Sequence, residues 1–200
     1  MAKVFFSLVV AVLVAVGAQA NIKDQCSWFV GKHPFEEKRM EGIWHVIASA
    51  SNHPDITTRT CARYNITYKK SDDDTKFIVK LSGLDKERKL MSFEGISRPK
   101  GSERRSMFLG VLKKIDSETY DGVYKEAILV SDYDTYAAYI GCRPTFDPVT
   151  NEFGRRYMAA VVSRKPTLSE DIKNTLINVF SGYNIDPSEF KHVEHKDCHQ

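Results

Sequence analysis

The chain has 200 residues, 29 Lys and Arg against 26 Asp and Glu, a formal net charge of +3, and 42% hydrophobic residues. That composition excludes a disordered chain, and so mild a charge gives no ground for nucleic-acid binding. The length suits a single domain.

Residues 1–20 read MAKVFFSLVVAVLVAVGAQA. A basic start at Lys3, an apolar run and the small-residue site Ala18-Gln19-Ala20 make up a secretory leader. The run is shorter than the ~20 residues of a spanning helix. The expectation is a leader over 1–20 and one secreted domain over 21–200, with no membrane insertion. Cys26, Cys61, Cys142 and Cys198 all lie in that domain. An even count in an oxidising compartment favours two disulfides, and spacing leaves three pairings open. Asn65-Ile66-Thr67 is a glycosylation sequon, usable at Asn65 if exposed.

Eight short β-prone runs follow: 42–49, 59–69, 76–82, 89–93, 106–112, 123–130, 135–142 and 156–163. Between them lie turn-forming clusters such as Asn52-His53-Pro54-Asp55, Arg98-Pro99-Lys100-Gly101, Asp121-Gly122 and Arg143-Pro144. Pro fixes φ, Gly reaches positive φ, and Asp and Asn bond their own backbone. Thr167-Leu168-Ser169-Glu170 has the spacing of a capping box. Ile172, Leu176, Val179 and Phe180 then fall on one helical face, and Gly182 is placed to stop the helix. The fold class expected is all-β: an eight-stranded antiparallel up-and-down barrel with one C-terminal α-helix packed on its outside.

Three local motifs sit on this layout. Gly42-Ile43-Trp44 opens the first strand. Ser131-Asp132-Tyr133 joins the sixth to the seventh. Arg164 closes the eighth, in VVSRKP. In this order and spacing the chain resembles the lipocalin family over roughly residues 22–200. The cysteines and the Asp-Cys-His ending resemble insect lipocalins, among them cockroach allergens and pigment-binding proteins. The resemblance implies the disulfides Cys26–Cys142 and Cys61–Cys198. It also implies that Gly42, Trp44, Ser131, Asp132, Tyr133 and Arg164 serve the fold: Trp44 plugs the closed end and Arg164 stacks on its indole.

Strand side chains alternate. Asn65 and Cys61 face out on the second strand, so Ala62, Tyr64, Ile66 and Tyr68 face in. Trp44 sets Val46 and Ala48 inward on the first, and solvated Lys76 and Lys80 leave Phe77, Val79 and Leu81 inside the third. Met91, Phe93, Met107 and Leu109 are favoured as inward on the fourth and fifth. The motifs place Glu126, Ile128 and Val130 inside on the sixth, Ala137 and Tyr139 on the seventh, and Met158 and Ala160 on the eighth. The expected ligand-binding set is Val46, Tyr64, Ile66, Tyr68, Phe77, Val79, Glu126, Ile128, Tyr139 and Met158, an apolar and aromatic lining of the kind small-molecule pockets have. A carboxylate there is costly unless paired, and a cationic amine would pair Glu126. The alternative is a solvated Glu126 near the rim, or one turned outward by a bulge. The open end is expected at 49–58, 84–87, 113–122 and 143–154, with His53-Pro54 in the lid.

No Gly-x-Ser-x-Gly, His-Glu-x-x-His, phosphate loop or G-x-G-x-x-G occurs. His192, His195 and His199 beside Asp197 offer no closed metal-ligand set, so no metal and no cofactor is expected. The resemblance includes rare enzymes, one of which uses a cavity cysteine thiol, but here every cysteine has a disulfide partner; the chain is not read as an enzyme. The function expected is a secreted carrier of a small hydrophobic ligand: a pheromone-like volatile, a biogenic amine, a fatty acid or a pigment. The alternative is a salivary-type lipocalin that binds proteins or sequesters mediators, with an enzyme on the barrel as the less favoured reading. The partner expected is therefore a small hydrophobic or amine ligand; a homodimer stays open.

Overall fold

A computed structural model describes residues 25–54, 56, 60–72, 74–101 and 105–198. The expected leader, residues 1–20, lies outside the described residues, as does His199. Eight strands run in chain order: β1 (Gly42–Ser51), β2 (Thr60–Lys70), β3 (Thr75–Leu84), β4 (Leu90–Pro99), β5 (Met107–Lys114), β6 (Val123–Ser131), β7 (Tyr136–Asp147) and β8 (Glu152–Ser163). Each pairs antiparallel with the next, and β1 pairs with both β8 and β2, which closes an up-and-down barrel.

Three strands outrun their sequence pattern. β4 continues past Phe93 to Pro99, so the turn begins at Lys100 rather than Arg98. β8 begins at Glu152 rather than Arg156. β7 passes through Pro144, which reads as a strand breaker in the sequence. The pairing of β7 with β6 reaches only to Cys142, so the missing Pro144 N–H costs no bond on that side.

A short ninth strand, β9 (Lys191–His192), has no signal in the sequence. β1 pairs with β2 only along 42–45, then with β9 at Ala48 and Ser49. The tail fills the gap where β1 and β2 part: Val193 N donates to Ile47 O at 3.0 Å, and Cys61 N donates to Glu194 O at 2.7 Å. Val193 is buried there, and the Cys61–Cys198 disulfide fastens the end. The other disulfide, Cys26–Cys142, ties the N-terminal segment to β7.

Of the register shifts in the barrel, which include one on β2 between Thr60 and Arg63, two move expected lining residues to the outer face. One lies between Val46 and Ala48 on β1, the other between Ile128 and Val130 on β6. Each adds a residue and flips the alternation. Ala48 and Val130, expected inside, therefore face out. They join an outer core with Ile47, Ala127, Ala138, Ile140, Ala159 and Val161.

The helix α1 (Glu170–Val179) covers that outer core through Leu176 and Phe180. The expected capping box is not formed: Glu170 is the first helical residue, its N-cap is Ser169, and no side chain caps it. Nor does Gly182 end the turn. The chain tightens to a 3-10 turn over Phe180–Tyr183 and stops at Asn184, which takes the left-handed conformation.

The closed end is built by the motif residues. A 3-10 turn, Glu37–Met40, precedes β1. Trp44 is fully buried and its Nε1 donates to Met40 O at 2.9 Å. The Arg164 guanidinium lies 3.8 Å from the Trp44 ring centre. It donates to the carbonyls of Arg39, Glu41, Ile43 and Tyr133. Ser131 Oγ accepts from Tyr133 N at 2.9 Å, and Asp132 Oδ1 accepts from Thr135 N and Tyr136 N. Gly42 has φ +101°, and a Cβ there would sit 3.3 Å from Arg164 Nη1. Gly42→Ala should therefore lower stability by about 1–3 kcal/mol, read as a lower urea midpoint with an unchanged slope. An unchanged midpoint would mean that the backbone relaxes freely there.

Candidate functional site: the barrel cavity

The lumen above Trp44 encloses about 80 Å³. Each water needs roughly 10–15 Å³ on this scale, so there is room for a few waters or one small organic molecule. Its wall brings together Tyr64, Ile66, Phe77, Val79, Glu126, Ile128, Tyr139 and Met158 from the expected set. Val46 and Tyr68 do not reach it. Val46 packs in the inner core. Tyr68 turns to the closed end, where its hydroxyl donates to Glu37 Oε2 at 3.0 Å and its ring lies 5.4 Å from that of Phe77.

Other lining residues were not legible in the sequence. Phe35 and Met40 come from the segment before β1, Gly95 and Ser97 from β4, Phe108 and Leu112 from β5. On β5 the expected register is reversed. Phe108, Gly110 and Leu112 share the inner face, while Met107 joins the outer core and Leu109 is half exposed. On β4, Phe93 is inside as expected, and Met91 is half-buried without lining the cavity. The cue available was the triplet Phe108-Leu109-Gly110: a glycine two residues from a Phe, on the face where a neighbour needs room.

Glu126 lies inside, not at the rim. Its residue is 7% exposed. Ser97 Oγ donates to Oε2 at 2.6 Å and Tyr139 Oη donates to Oε1 at 3.0 Å. No Lys, Arg or His stands among the described lining residues. Burial pushes the Glu126 carboxyl up to about 7, even though the Ser97 and Tyr139 hydroxyls both pull it down. Burial and the neighbouring carboxylate hold the Tyr139 hydroxyl well above its ordinary range, so it stays a donor. The site thus presents one acid in an apolar cup, oriented by two hydroxyls, with no cation among the described lining residues.

The mouth is drawn together by a second acid. Asp121, in the β5–β6 connection, accepts from Arg143 Nη2 and Arg156 Nη1 at 2.9 Å each through Oδ1. Through Oδ2 it meets His53 Nε2 at 2.8 Å and accepts from Tyr124 Oη at 2.6 Å. His53 is buried and belongs to the connection after β1. Burial pushes the Asp121 carboxyl up, but Tyr124, Arg143, Arg156 and His53 together outweigh it and hold it below the usual range. Burial and the bond to Asp121 push the Tyr124 hydroxyl up to about 12. One carboxylate therefore ties His53 to β6, β7 and β8.

Asn65 is exposed on β2. No group of three or more potential metal ligands occurs among the described residues. His195 Nε2 is engaged with Val46 O at 2.8 Å. No helix among the described residues is long and apolar enough to cross a membrane.

No protein-family profile matches the chain, and no curated protein sequence matches it. Solved structures do match in shape. The amine binding protein of Rhodnius prolixus, solved as its tryptamine complex, superposes with a TM-score of 0.62 at 14% identity, covering 84% of this chain and 85% of that one. Insecticyanin from the tobacco hornworm Manduca sexta gives 0.59 at 17%, covering 87% and 88%. The cockroach allergen Per a 4 gives 0.56 at 15%, covering 88% and 98%. All three are lipocalins. At such identities the likeness is one of fold.

Proposed function

We propose that this chain, which has the lipocalin fold, is a secreted carrier of one small, largely apolar ligand that presents a basic nitrogen to Glu126. The observation that carries the reading is the buried carboxyl without a cation among the described lining residues. An ionised carboxylate in such a cup needs a counter-charge, and the ligand is the remaining source of one. The apolar wall then takes the body of the ligand, with Tyr64 and Tyr139 as aromatic faces. The cavity volume favours a volatile or a small amine over a long fatty acid or a pigment, which need several times more room. The shared fold with an amine binding protein supports the same choice. The two disulfides support secretion, and exposed Asn65 is then open to glycosylation.

The test is displacement of an environment-sensitive dye from the oxidised protein. 2-Phenylethylamine should displace it at micromolar concentration, with palmitate and biliverdin at least tenfold weaker. Tight displacement by biliverdin or palmitate would overturn the amine reading.

A second reading, recognition of another protein, is favoured by the β7–β8 hairpin, where Phe146, Val149 and Phe153 stand exposed. A barrel that takes up no dye at all would bring it forward.

A further inference from the structure

Glu126 occupies a bed made by two glycines. Gly141 on β7 is its cross-strand partner. A Cβ at Gly141 would stand 2.7 Å from the Tyr139 hydroxyl. On the other side, a Cβ at Gly110 on β5 would overlap the Glu126 carboxylate itself. Gly110 is in turn the cross-strand partner of Ser97 on β4. No side chain on β5 therefore separates Ser97 from Glu126, and the Ser97 hydroxyl reaches across a whole strand to make its bond.

We propose that Ser97 is a specificity-determining residue: by bonding Glu126 across Gly110 it keeps the carboxyl ionised and aimed into the lumen, and so selects a cationic amine over a neutral ligand of the same shape. This rests on the carrier reading above. A hydroxyl donor favours the charged form of the acid it bonds. Of the two donors, Ser97 pulls the Glu126 carboxyl down more than Tyr139 does. No Lys, Arg, His, Asp or other Glu stands beside it among the described lining residues. β4 presents Ser97, β5 presents Gly110 and Phe108, β8 presents Met158, and β7 presents Tyr139, with Tyr64 of β2 beyond it. With the carboxyl poised close to neutrality, one lost donor decides whether the cup is anionic or neutral.

The experiment follows the Glu126 carboxyl by carbon NMR in the protein without ligand. In parallel it measures the Kd of 2-phenylethylamine and 2-phenylethanol from pH 5.5 to 9. Ser97→Ala should raise the carboxyl midpoint by roughly one to two pH units. Amine affinity at pH 7 should fall about tenfold and recover by pH 9 to within about twofold, as expected when only the fraction ionised has changed. The alcohol should bind as before. Ser97→Thr, which keeps the hydroxyl, should restore the wild-type profile. Equal weakening of both probes at every pH, or an unmoved midpoint, would overturn the proposal. A wild type that binds neither probe would overturn the carrier reading instead, while the midpoint still decides whether Ser97 holds the charge.

Discussion

Glu126→Gln is expected to weaken 2-phenylethylamine binding at pH 8 by about a hundredfold and to leave 2-phenylethanol within about threefold. Removing one partner of a buried ion pair costs on the order of 3–5 kcal/mol, and each 1.4 kcal/mol is about tenfold in affinity. A hundredfold is the lower edge of that range, because the amide still accepts one hydrogen bond from the ammonium. The substitution preserves shape, so the apolar contacts of the neutral probe survive. Calorimetric titration of both probes checks it; equal losses would assign Glu126 to packing.

The same substitution should change stability with a definite sign. The folded protein holds the Glu126 proton up to about pH 7, whereas an ordinary glutamate releases it near 4.5. Between those values the native state binds more protons than the unfolded one. Stability of the ligand-free barrel therefore falls as pH rises from about 4.5 to 7, by roughly 3 kcal/mol from this group, and then levels off. Glu126→Gln removes that slope. The gap in thermal midpoint between variant and wild type should widen in the variant's favour over this window. A constant gap would mean that the carboxyl is better solvated than its burial indicates.

Asp121→Asn should speed ligand exit about tenfold and cost about 2–3 kcal/mol. An amide of the same shape has one acceptor oxygen where the carboxylate has two, and its NH2 faces donors. The Arg143 and Arg156 cations lose their shared anion, and His53 loses its carboxylate partner. The estimate sits at the low end for a charged network because Asp121 keeps about a quarter of its side-chain exposure. Since the folded-state carboxyl is held below its ordinary value, its contribution is present above the usual carboxylate pKa and lost as pH falls through the lowered one. The cost of the substitution should therefore shrink in strong acid. Stopped-flow release of bound dye reads the exit rate. A lower urea midpoint with unchanged exit would show that the clasp braces the rim without gating it.

The barrel itself was legible because short alternating runs, turn residues and three motifs all agreed. The lining was legible wherever one side chain had an unambiguous face. Asn65 and Cys61 on β2, and the two lysines on β3, gave Tyr64, Ile66, Phe77 and Val79 correctly. It failed where the backbone slips. Nothing in HVIAS or ILVS marks a register shift, since every residue there is apolar or small, and so Ala48 and Val130 were misplaced. It failed again on β5, where Met107 and Leu109 outweigh a lone Phe108 in hydrophobicity but lie on the face toward the N-terminal segment and solvent. Ser97 and Gly110 carry no hydrophobic signal at all. Their importance comes from strand neighbours far away in sequence, which a reading along the chain does not see. The tail strand was missed for the same reason: two residues opposite Ala48 and Ser49 have no periodicity to show.

That tail sets an order of events in synthesis. Eight staves emerge from the ribosome before the segment that completes the wall between β1 and β2. Until 191–195 arrive, the halves of β1 and β2 nearest the mouth present unpaired backbone, an exposed edge of the kind that invites pairing with another chain. The nascent barrel therefore keeps an exposed edge until that segment is in place. Its last cysteine, Cys198, becomes available for oxidation only then. In recombinant production, yield should depend less on the eight strands than on how promptly that final stitch is made.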